Sequence, residues 1–447
     1  MFRVYIYIFV YLASIIAFGT VFTVVLTLPQ LLLTLLAVSQ IRNRHFGLLD
    51  INWLILFMYF CIAPVQNIVG QTLPNGPLGY SEFSANTFYL ASFIIFVFSL
   101  FFHLYLYYSK SYVLERKGSL EYSKFDSDDQ KIGIGTSLVI FFVFLVGLTL
   151  YVYSQGSIVN ILSSRLEKNV EIIDSYEFIY IALTSVSISS MAYCIKKNKI
   201  YNRKFVIALF SLSLLLLLIV FNPANTSRYK IIAMWLPVFF IFYHSKYFFK
   251  TYYLLMVSAI FLVMPIMSVV SRRGIESVDL IGLIDSGYLG GLTGLDIYDM
   301  VLYAVHYCSL MSYEFGFGHY LLGVFFFIVP RSVWTSKPDP FAAEVSEHVV
   351  HYSYAGAPNL SMPFFMDGYG DFHLFGVILL GLIYGYIVRK IAAFKNDFGY
   401  VFLFIFIAAV PIIIRGPFNG ITGLITFQSI FFLIFSMLLK VQFKIKN

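Results

Sequence analysis

Residues suited to proton transfer are concentrated in one late segment of the chain, FAAEVSEHVVH. Glu344 precedes His348 by four positions and Glu347 precedes His351 by four, so a helix here places an acid beside an imidazole twice. A carboxylate or an imidazole within hydrogen-bond reach of a hydroxyl group can act as its general base. Either pair therefore provides a candidate base, and the alternative is a solvated helix face with incidental ion pairs.

Five arginines lie at or beside the ends of apolar runs. They are Arg228, Arg272, Arg273, Arg331 and Arg415. A guanidinium group stays charged in any surroundings and binds phosphate oxygens through paired N–H donors. A set of such groups at one membrane surface suits a lipid-linked diphosphate, whereas a single one can equally well extend to a lipid headgroup.

Metal and nucleotide motifs are not supported by the spacing. In EHVVH the histidines are three apart and the glutamate precedes both, whereas a zinc metalloprotease helix has histidines four apart with the glutamate between them. The sequence also lacks a glycine-rich phosphate loop ending in Lys-Ser or Lys-Thr. We therefore predict no metal and no cofactor.

Asp367 and Asp371 lie in a glycine-rich turn later in the chain. Their expected role is to cap the helix that follows, and the alternative role is contact with substrate.

The composition restricts where these residues can sit. Of the 447 residues, 60% are hydrophobic and 12% are charged, against about 25% charged in ordinary soluble proteins. With a mean hydropathy of +0.82, the chain cannot cover a globule of this size with polar side chains, which excludes a water-soluble enzyme. The formal charge of +7 is spread between apolar runs without a basic stripe, so nucleic acid is not an expected partner.

Apolar runs long enough to cross a bilayer recur along the whole chain. At roughly 20 residues per crossing, they predict an all-α polytopic integral membrane protein with about 11–12 transmembrane helices. The spans predicted after an N-terminal anchor are 48–70, 86–108, 132–155, 175–195, 205–222, 231–245, 251–271, 371–388, 398–415 and 418–439. The anchor, within 4–40, is either one long tilted helix or a tight pair that turns near Gly19.

The distribution of Lys and Arg predicts the sidedness of the connections. One set of alternate connections carries twenty of the thirty basic residues, and the set between them carries nine. The rich set is 41–45, 110–131, 196–204, 246–250, 389–395 and the tail after Leu439. We predict that this set is cytoplasmic and that the poor set, which holds all five arginines, faces outward.

On this basis the chain divides into three parts. They are 1–271 with N-terminal transmembrane helices, a large outward-facing loop region at 272–370, and 371–447 with C-terminal transmembrane helices. The loop region is not a free soluble domain, because LDIYDMVLYAVHYCSL and YLLGVFFFIVP are too apolar to lie in water. We predict that these two segments are short amphipathic or re-entrant helices on the membrane face that do not cross it.

The order of these features resembles the O-antigen polymerases of the Wzy type. The resemblance rests on an outward arginine beside a span in TSRYK, an arginine pair after a later span in SRRG, and the segments PRSVWTSKP, GAPNLSMP and FGVILLGLIYG. It extends over roughly the C-terminal half of the chain in motifs and over the whole chain in topology. The resemblance implies a metal-independent glycosyltransferase of the bacterial inner membrane that joins oligosaccharide repeat units carried on undecaprenyl diphosphate, at the periplasmic face.

The same resemblance implies partners and residue roles. The partners are undecaprenyl-diphosphate-linked oligosaccharides, membrane lipids and a chain-length regulator protein. The residues predicted to bind the diphosphate or the sugar are Arg228, Arg272, Arg273, Arg331, Lys337 and Arg415. Glu344 becomes the first candidate for the base because it follows the Lys-Pro segment at the spacing expected for the family, and His348 is the second.

Two other functions stay open from the sequence. An O-antigen ligase-type transferase uses similar lipid-linked donors and a similar late outward loop. A lipid-linked oligosaccharide transporter or flippase is expected to carry charged residues near the bilayer midplane and paired broken helices, whereas the predicted spans are almost free of charge.

Overall fold

The computed structural model describes residues 1–41, 46–70, 83–112, 133–156, 161, 177–196, 202–222, 226, 228–243, 249–258, 297–310, 314–329, 333–349, 362–393, 399–416 and 418–439. Every regular element within these ranges is helical.

The helices of the first half follow the predicted spans closely. They are α1 (Phe2–Phe18), α2 (Val21–Gln40), α3 (Leu48–Phe57), a π-helical turn (Met58–Ile62), α4 (Ala63–Gly70), α5 (Ala85–Tyr108), α6 (Ile134–Ser154), α7 (Glu177–Lys196), α8 (Arg203–Val220), α9 (Arg228–Tyr243) and α10 (Phe249–Ser258). Only the first part of the predicted span 251–271 lies within the described residues, as α10.

The later helices include three short ones followed by three long ones. They are α11 (Ile297–Leu310), α12 (His319–Phe325), α13 (Phe341–Val349), α14 (Phe365–Ala392), α15 (Gly399–Arg415) and α16 (Phe418–Leu438). Within the described ranges, eight helical stretches are long and apolar enough to cross a membrane, and α1, α9 and α15 are shorter apolar helices. The chain is therefore a multi-pass α-helical membrane protein.

The N-terminal anchor is a pair of helices. The chain turns at Gly19, where a Cβ would lie 2.5 Å from the Ile15 carbonyl oxygen, so a larger residue does not fit. Thr20 then caps α2: its Oγ1 accepts the Thr23 N–H at 3.2 Å, and the Thr20 N–H donates to Thr23 Oγ1 at 3.0 Å. This reciprocal cap satisfies amide groups that a helix start leaves unbonded, and it decides between the two alternatives for 4–40.

The centre of the bundle is formed by α3, the π-helical turn and the first part of α4, and every residue from 48 to 67 is buried. Pro64 lies two residues after the end of the π-helical turn, and because proline has no N–H, the regular i to i−4 pattern cannot continue through it. From this turn, the Tyr59 hydroxyl donates to the carbonyl oxygen of Pro411 in α15 at 3.3 Å. The outermost helices, such as α8, instead expose leucine side chains along one side.

Contacts group the helix ends into the two sets that the charge pattern predicts. At one end, Arg3 of α1 forms a buried ion pair with Asp50 of α3 (Nε to Oδ1 2.5 Å) and donates to the Ile41 carbonyl after α2 at 3.2 Å. The Tyr253 hydroxyl of α10 donates to the same Asp50 at 2.8 Å. At the other end, the amide of Asn67 donates to Asp299 at 3.2 Å. The membrane side that each end faces stays a prediction.

Of the two arrangements predicted for LDIYDMVLYAVHYCSL, an exposed amphipathic helix does not fit α11, whereas the re-entrant helix stays a prediction. Residues 297–305 of α11 are buried on all sides, and the helix packs between α5 and α13. Two of its polar side chains are bonded to neighbouring helices, since the Tyr298 hydroxyl forms a hydrogen bond with Ser92 at 3.0 Å and Asp299 accepts from Asn67. A helix that is apolar all round is more stable inside a protein core than on a boundary with water, which explains the difference.

The long helix α14 is broken near its start. Phe372 and His373 have non-helical dihedral angles, with φ of +55° at His373. In a continuous helix, residues eight apart are separated by about 12 Å, whereas here a Cβ on Gly376 would overlap the Gly368 carbonyl oxygen. Residues 365–371 therefore form a short arm, buried throughout, that folds back on the start of the long part of α14. This arm carries Asp367 and Asp371.

Candidate functional site

The carboxylate of Glu344 is held by two tyrosines from neighbouring short helices. The Tyr307 hydroxyl of α11 donates to Oε1 at 2.6 Å, and the Tyr320 hydroxyl of α12 donates to Oε2. Both tyrosine side chains are buried, whereas Glu344 is half-buried. A phenolic donor on each carboxylate oxygen fixes the orientation of Glu344.

Asp371 fixes one of these tyrosines through its backbone. Oδ1 accepts the Tyr320 N–H at 3.0 Å and Oδ2 accepts the Leu321 N–H at 2.8 Å, at the start of α12. The loop before α12 also binds the arm, because the Gly316 N–H donates to the Gly370 carbonyl at 3.0 Å. A carboxylate that accepts first-turn amides is a stabilising helix cap.

Asp367 caps two further helices at once. Oδ1 accepts the Phe341 N–H at 3.0 Å, at the start of α13, and Oδ2 accepts the Phe418 N–H at 2.7 Å, at the start of α16. Glu344 lies three residues after Phe341 and Arg415 lies three residues before Phe418. A single carboxylate therefore ties together the backbone segments that carry two of the predicted site residues.

The two aspartates cap other helices than expected. The sequence predicted that Asp367 and Asp371 cap the helix that follows them, and that prediction is wrong, because no side chain caps the start of α14. Instead, the amides that they bind belong to α12, α13 and α16, whose starts are up to 51 residues away. The difference arises because the arm folds back, which turns both carboxylates towards the neighbouring helix starts.

Cys308 reports on the electrostatics of this region. Burial raises the pKa of the Cys308 thiol to about 12, and the Glu344 carboxylate beside it contributes to the rise.

Within the described residues, no group of three or more His, Cys, Asp or Glu side chains is arranged to hold a metal ion.

The predicted site residues are only partly described. Lys337 is half-buried, and its Nζ donates to the carbonyls of Phe327 at 2.9 Å and Val329 at 3.0 Å, which fixes the turn after α12. Arg415 is the last residue of α15 and is half-buried. The residues whose side chains lie outside the described part of the chain are Arg228, Arg272, Arg273, Arg331 and His348.

A second polar cluster lies at the start of α9, two residues from Arg228. Lys230 Nζ forms an ion pair with Glu177 Oε1 at 3.0 Å and donates to the Tyr180 hydroxyl at 2.7 Å. These contacts join α9 to α7 and fix the first turn of α9. They determine where the backbone of Arg228 lies.

Tyr307 and Tyr320 were not predicted as site residues. A tyrosine in an apolar segment is normally interpreted as a core residue. The partner of its hydroxyl group comes from a different helix, so the sequence around the tyrosine does not indicate it. The available signal was the placement of both tyrosines in apolar helices close to the polar segment that contains Glu344.

The site is thus a carboxylate with two phenolic donors, held by short helices against one end of a membrane bundle. Searches of protein-family models, curated proteins and solved structures find no match to the chain.

Proposed function

We propose that this protein is an inner-membrane glycosyltransferase of the O-antigen polymerase type, with its active site at the periplasmic face. Its substrates are oligosaccharide repeat units carried on undecaprenyl diphosphate, and a chain-length regulator is the expected protein partner. The observation that carries the proposal is the doubly bonded carboxylate of Glu344 at one end of an apolar helix bundle. An oriented base at a membrane boundary suits a substrate that is half sugar and half lipid.

The proposed reaction transfers the growing glycan to the incoming unit. A hydroxyl oxygen of the acceptor sugar forms a bond to the anomeric carbon of the donor, and the bond from that carbon to the diphosphate oxygen breaks. Glu344 accepts the hydroxyl proton, while the electron pair of the broken bond leaves with undecaprenyl diphosphate. Cations at the same end of the bundle stabilise the charge that develops on the diphosphate.

The arginines and Lys337 have different proposed roles. We assign diphosphate or sugar binding to Arg228, Arg272, Arg273, Arg331 and Arg415. Lys337 already donates to two backbone carbonyls, so its contribution is to hold the chain between α12 and α13. His348 follows Glu344 by four positions and is the second candidate for the base.

A transporter of lipid-linked oligosaccharides is the second candidate function. The observation that favours it is the break in α14 at Phe372 and His373, since broken helices are typical of transporter binding sites. A transporter requires no base, so it gives no role to the paired tyrosine contacts on Glu344.

The test is complementation of a strain that lacks the gene, with gel analysis of its surface glycan. We expect Glu344→Gln to reduce polymerisation by about 10²- to 10⁴-fold and to leave single capped units in place of a ladder. Glu347→Gln is the matched control, because Glu347 lies on the same helix with its side chain exposed. A full ladder from Glu344→Gln contradicts the proposed base.

The deletion strain separates the alternatives. Single capped units on the surface indicate a polymerase, and loss of all surface glycan with accumulation of lipid-linked polymer indicates a ligase. Loss of surface glycan with accumulation of single lipid-linked units at the cytoplasmic face indicates a transporter.

A further inference from the structure

Helix α12 and the residues around it expose a large apolar surface. We call it the α12 outer surface; it consists of Phe317, Leu322, Phe325, Phe326, Ile328 and Val333. The exposed fraction is 83% for Phe317, 78% for Phe325 and 66% for Ile328. Contiguous apolar surface of this kind is costly in water and marks a contact with lipid or a partner.

The surroundings of this surface indicate hydrocarbon as its environment. Between 315 and 329 the chain has no Asp, Glu, Lys or Arg. The surface is continuous with apolar flanks of the long helices, since α12 packs on α14 and α16, and the rings of Phe327 and Phe427 lie 6.3 Å apart. Phe375 of α14, the helix on which α12 packs, is 65% exposed.

One edge of the surface has the character of a membrane–water boundary. The Trp334 ring contacts the Phe326 ring edge-on at 6.0 Å, and Trp334 Nε1 donates to the Ser336 hydroxyl at 3.0 Å. A tryptophan with an apolar body and a bonded polar tip is typical of the headgroup level of a bilayer.

The inner face of the same helix holds the candidate base. Tyr320 is buried on the opposite side of α12 from Phe325, and its hydroxyl donates to Glu344. A helix with its side chains is about 10–12 Å across, so hydrocarbon on the outer face lies within one helix diameter of the carboxylate.

We propose that the α12 outer surface binds the isoprenoid tail of the lipid-linked substrate. The substrate then approaches Glu344 sideways from the bilayer, with its tail against Phe325 and its diphosphate and sugar at the polar edge. This inference rests on the proposed function for the chemical class of the substrate.

The test is photo-cross-linking from Phe325. The variant Phe325→p-benzoylphenylalanine is reconstituted in vesicles of phosphatidylethanolamine and phosphatidylglycerol that contain a radiolabelled polyprenyl diphosphate. The control is Leu218→p-benzoylphenylalanine, because Leu218 is 51% exposed on α8, an outer helix of the bundle. Size-exclusion chromatography checks that both variants are folded, and Leu322 is the replacement position if the Phe325 variant is not.

We expect the ratio of polyprenyl to phospholipid adducts to be several-fold higher at position 325 than at position 218. Equal ratios overturn the inference, because they mean that the surface contacts bulk lipid only. Adducts at 218 without lipid adducts at 325 also overturn it, because the surface then lies in water or against protein.

The glycan ladder distinguishes this failure from a failure of the proposed function. If the glycan ladder depends on Glu344 but the adduct ratios at positions 325 and 218 are equal, the polymerase function is supported and the tail-binding site is rejected. If polyprenyl adducts predominate at position 325 but deletion of the gene leaves polymer length unchanged, the tail-binding site is supported and the polymerase function is rejected.

Discussion

The Tyr320 hydroxyl donates to the Glu344 carboxylate, although the two residues belong to separate short helices and lie 24 positions apart. Tyr307, from a third helix, donates to the other carboxylate oxygen. The orientation of the candidate base is therefore a property of three helices together. This arrangement makes the individual contacts open to test.

Removal of the phenolic donors is expected to weaken activity more than stability. A catalytic group displaced by about 1 Å can cost about 10²-fold in rate, so Tyr320→Phe and Tyr307→Phe, which each release one oxygen of Glu344, are predicted to lower polymerisation at least about tenfold. Activity is read from the glycan ladder and folding from thermal unfolding in detergent. Tyr298→Phe is the matched control on α11, since its hydroxyl bonds to Ser92 away from Glu344. Unchanged activity in both Phe variants contradicts a positioning role.

Loss of Asp367 is expected to destabilise the assembly of short helices. Asp367→Ala leaves the buried amides of Phe341 and Phe418 without their partner, at about 1–3 kcal/mol for each amide. Asp367→Asn retains one acceptor oxygen and is predicted to fall between the alanine variant and the wild type. Thermal unfolding followed by fluorescence-detected size exclusion measures the order. Equal midpoints for the alanine variant and the wild type refute the capping role.

The contact between Gly368 and Gly376 predicts a strong effect of a single methyl group. Gly376→Ala places a Cβ against the Gly368 carbonyl oxygen, a backbone atom that cannot rotate away, and we expect a loss of roughly 1–3 kcal/mol or failure to fold. Gly135→Ala on α6 is the control, because nothing lies within 4 Å of its Cβ position. There alanine is expected to be neutral or stabilising by about 0.5–1 kcal/mol. Similar unfolding midpoints for the two variants argue against the folded-back arm.

The reactivity of Cys308 provides a measurement of the charge on Glu344. Because the raised pKa makes the thiolate scarce, alkylation of Cys308 at pH 8 is expected to be slow and to quicken about tenfold with each pH unit. Glu344→Gln removes a negative charge that contributes to the raised pKa. The thiol pKa should then fall, and alkylation measured by mass spectrometry should be faster, whereas Glu347→Gln should leave the rate unchanged. A rate unaffected by Glu344→Gln means that the carboxylate is not charged beside the thiol.

The sequence by itself determined the class of protein and the course of the chain. Long apolar runs can be stable only in lipid or in a core, so they predicted the helices, and the alternation of basic connections agrees with the grouping of helix ends around Asp50 and Asp299. The turn at Gly19 was among the alternatives because a long apolar stretch fits one or two helices equally well.

Only the tertiary structure decided how Glu344 is held, where the two aspartates point and which short helix is buried. Hydrogen bonds such as those of Asp367 join amides 26 and 51 positions away, and no local pattern encodes which distant helix start will meet a carboxylate. The fold-back at Phe372 and His373 brings those starts within reach. It depends on backbone contact between Gly368 and Gly376, which composition and spacing do not reveal. The spacing of apolar residues along the sequence shows which side chains avoid water, whereas tertiary packing determines which of those side chains contact each other.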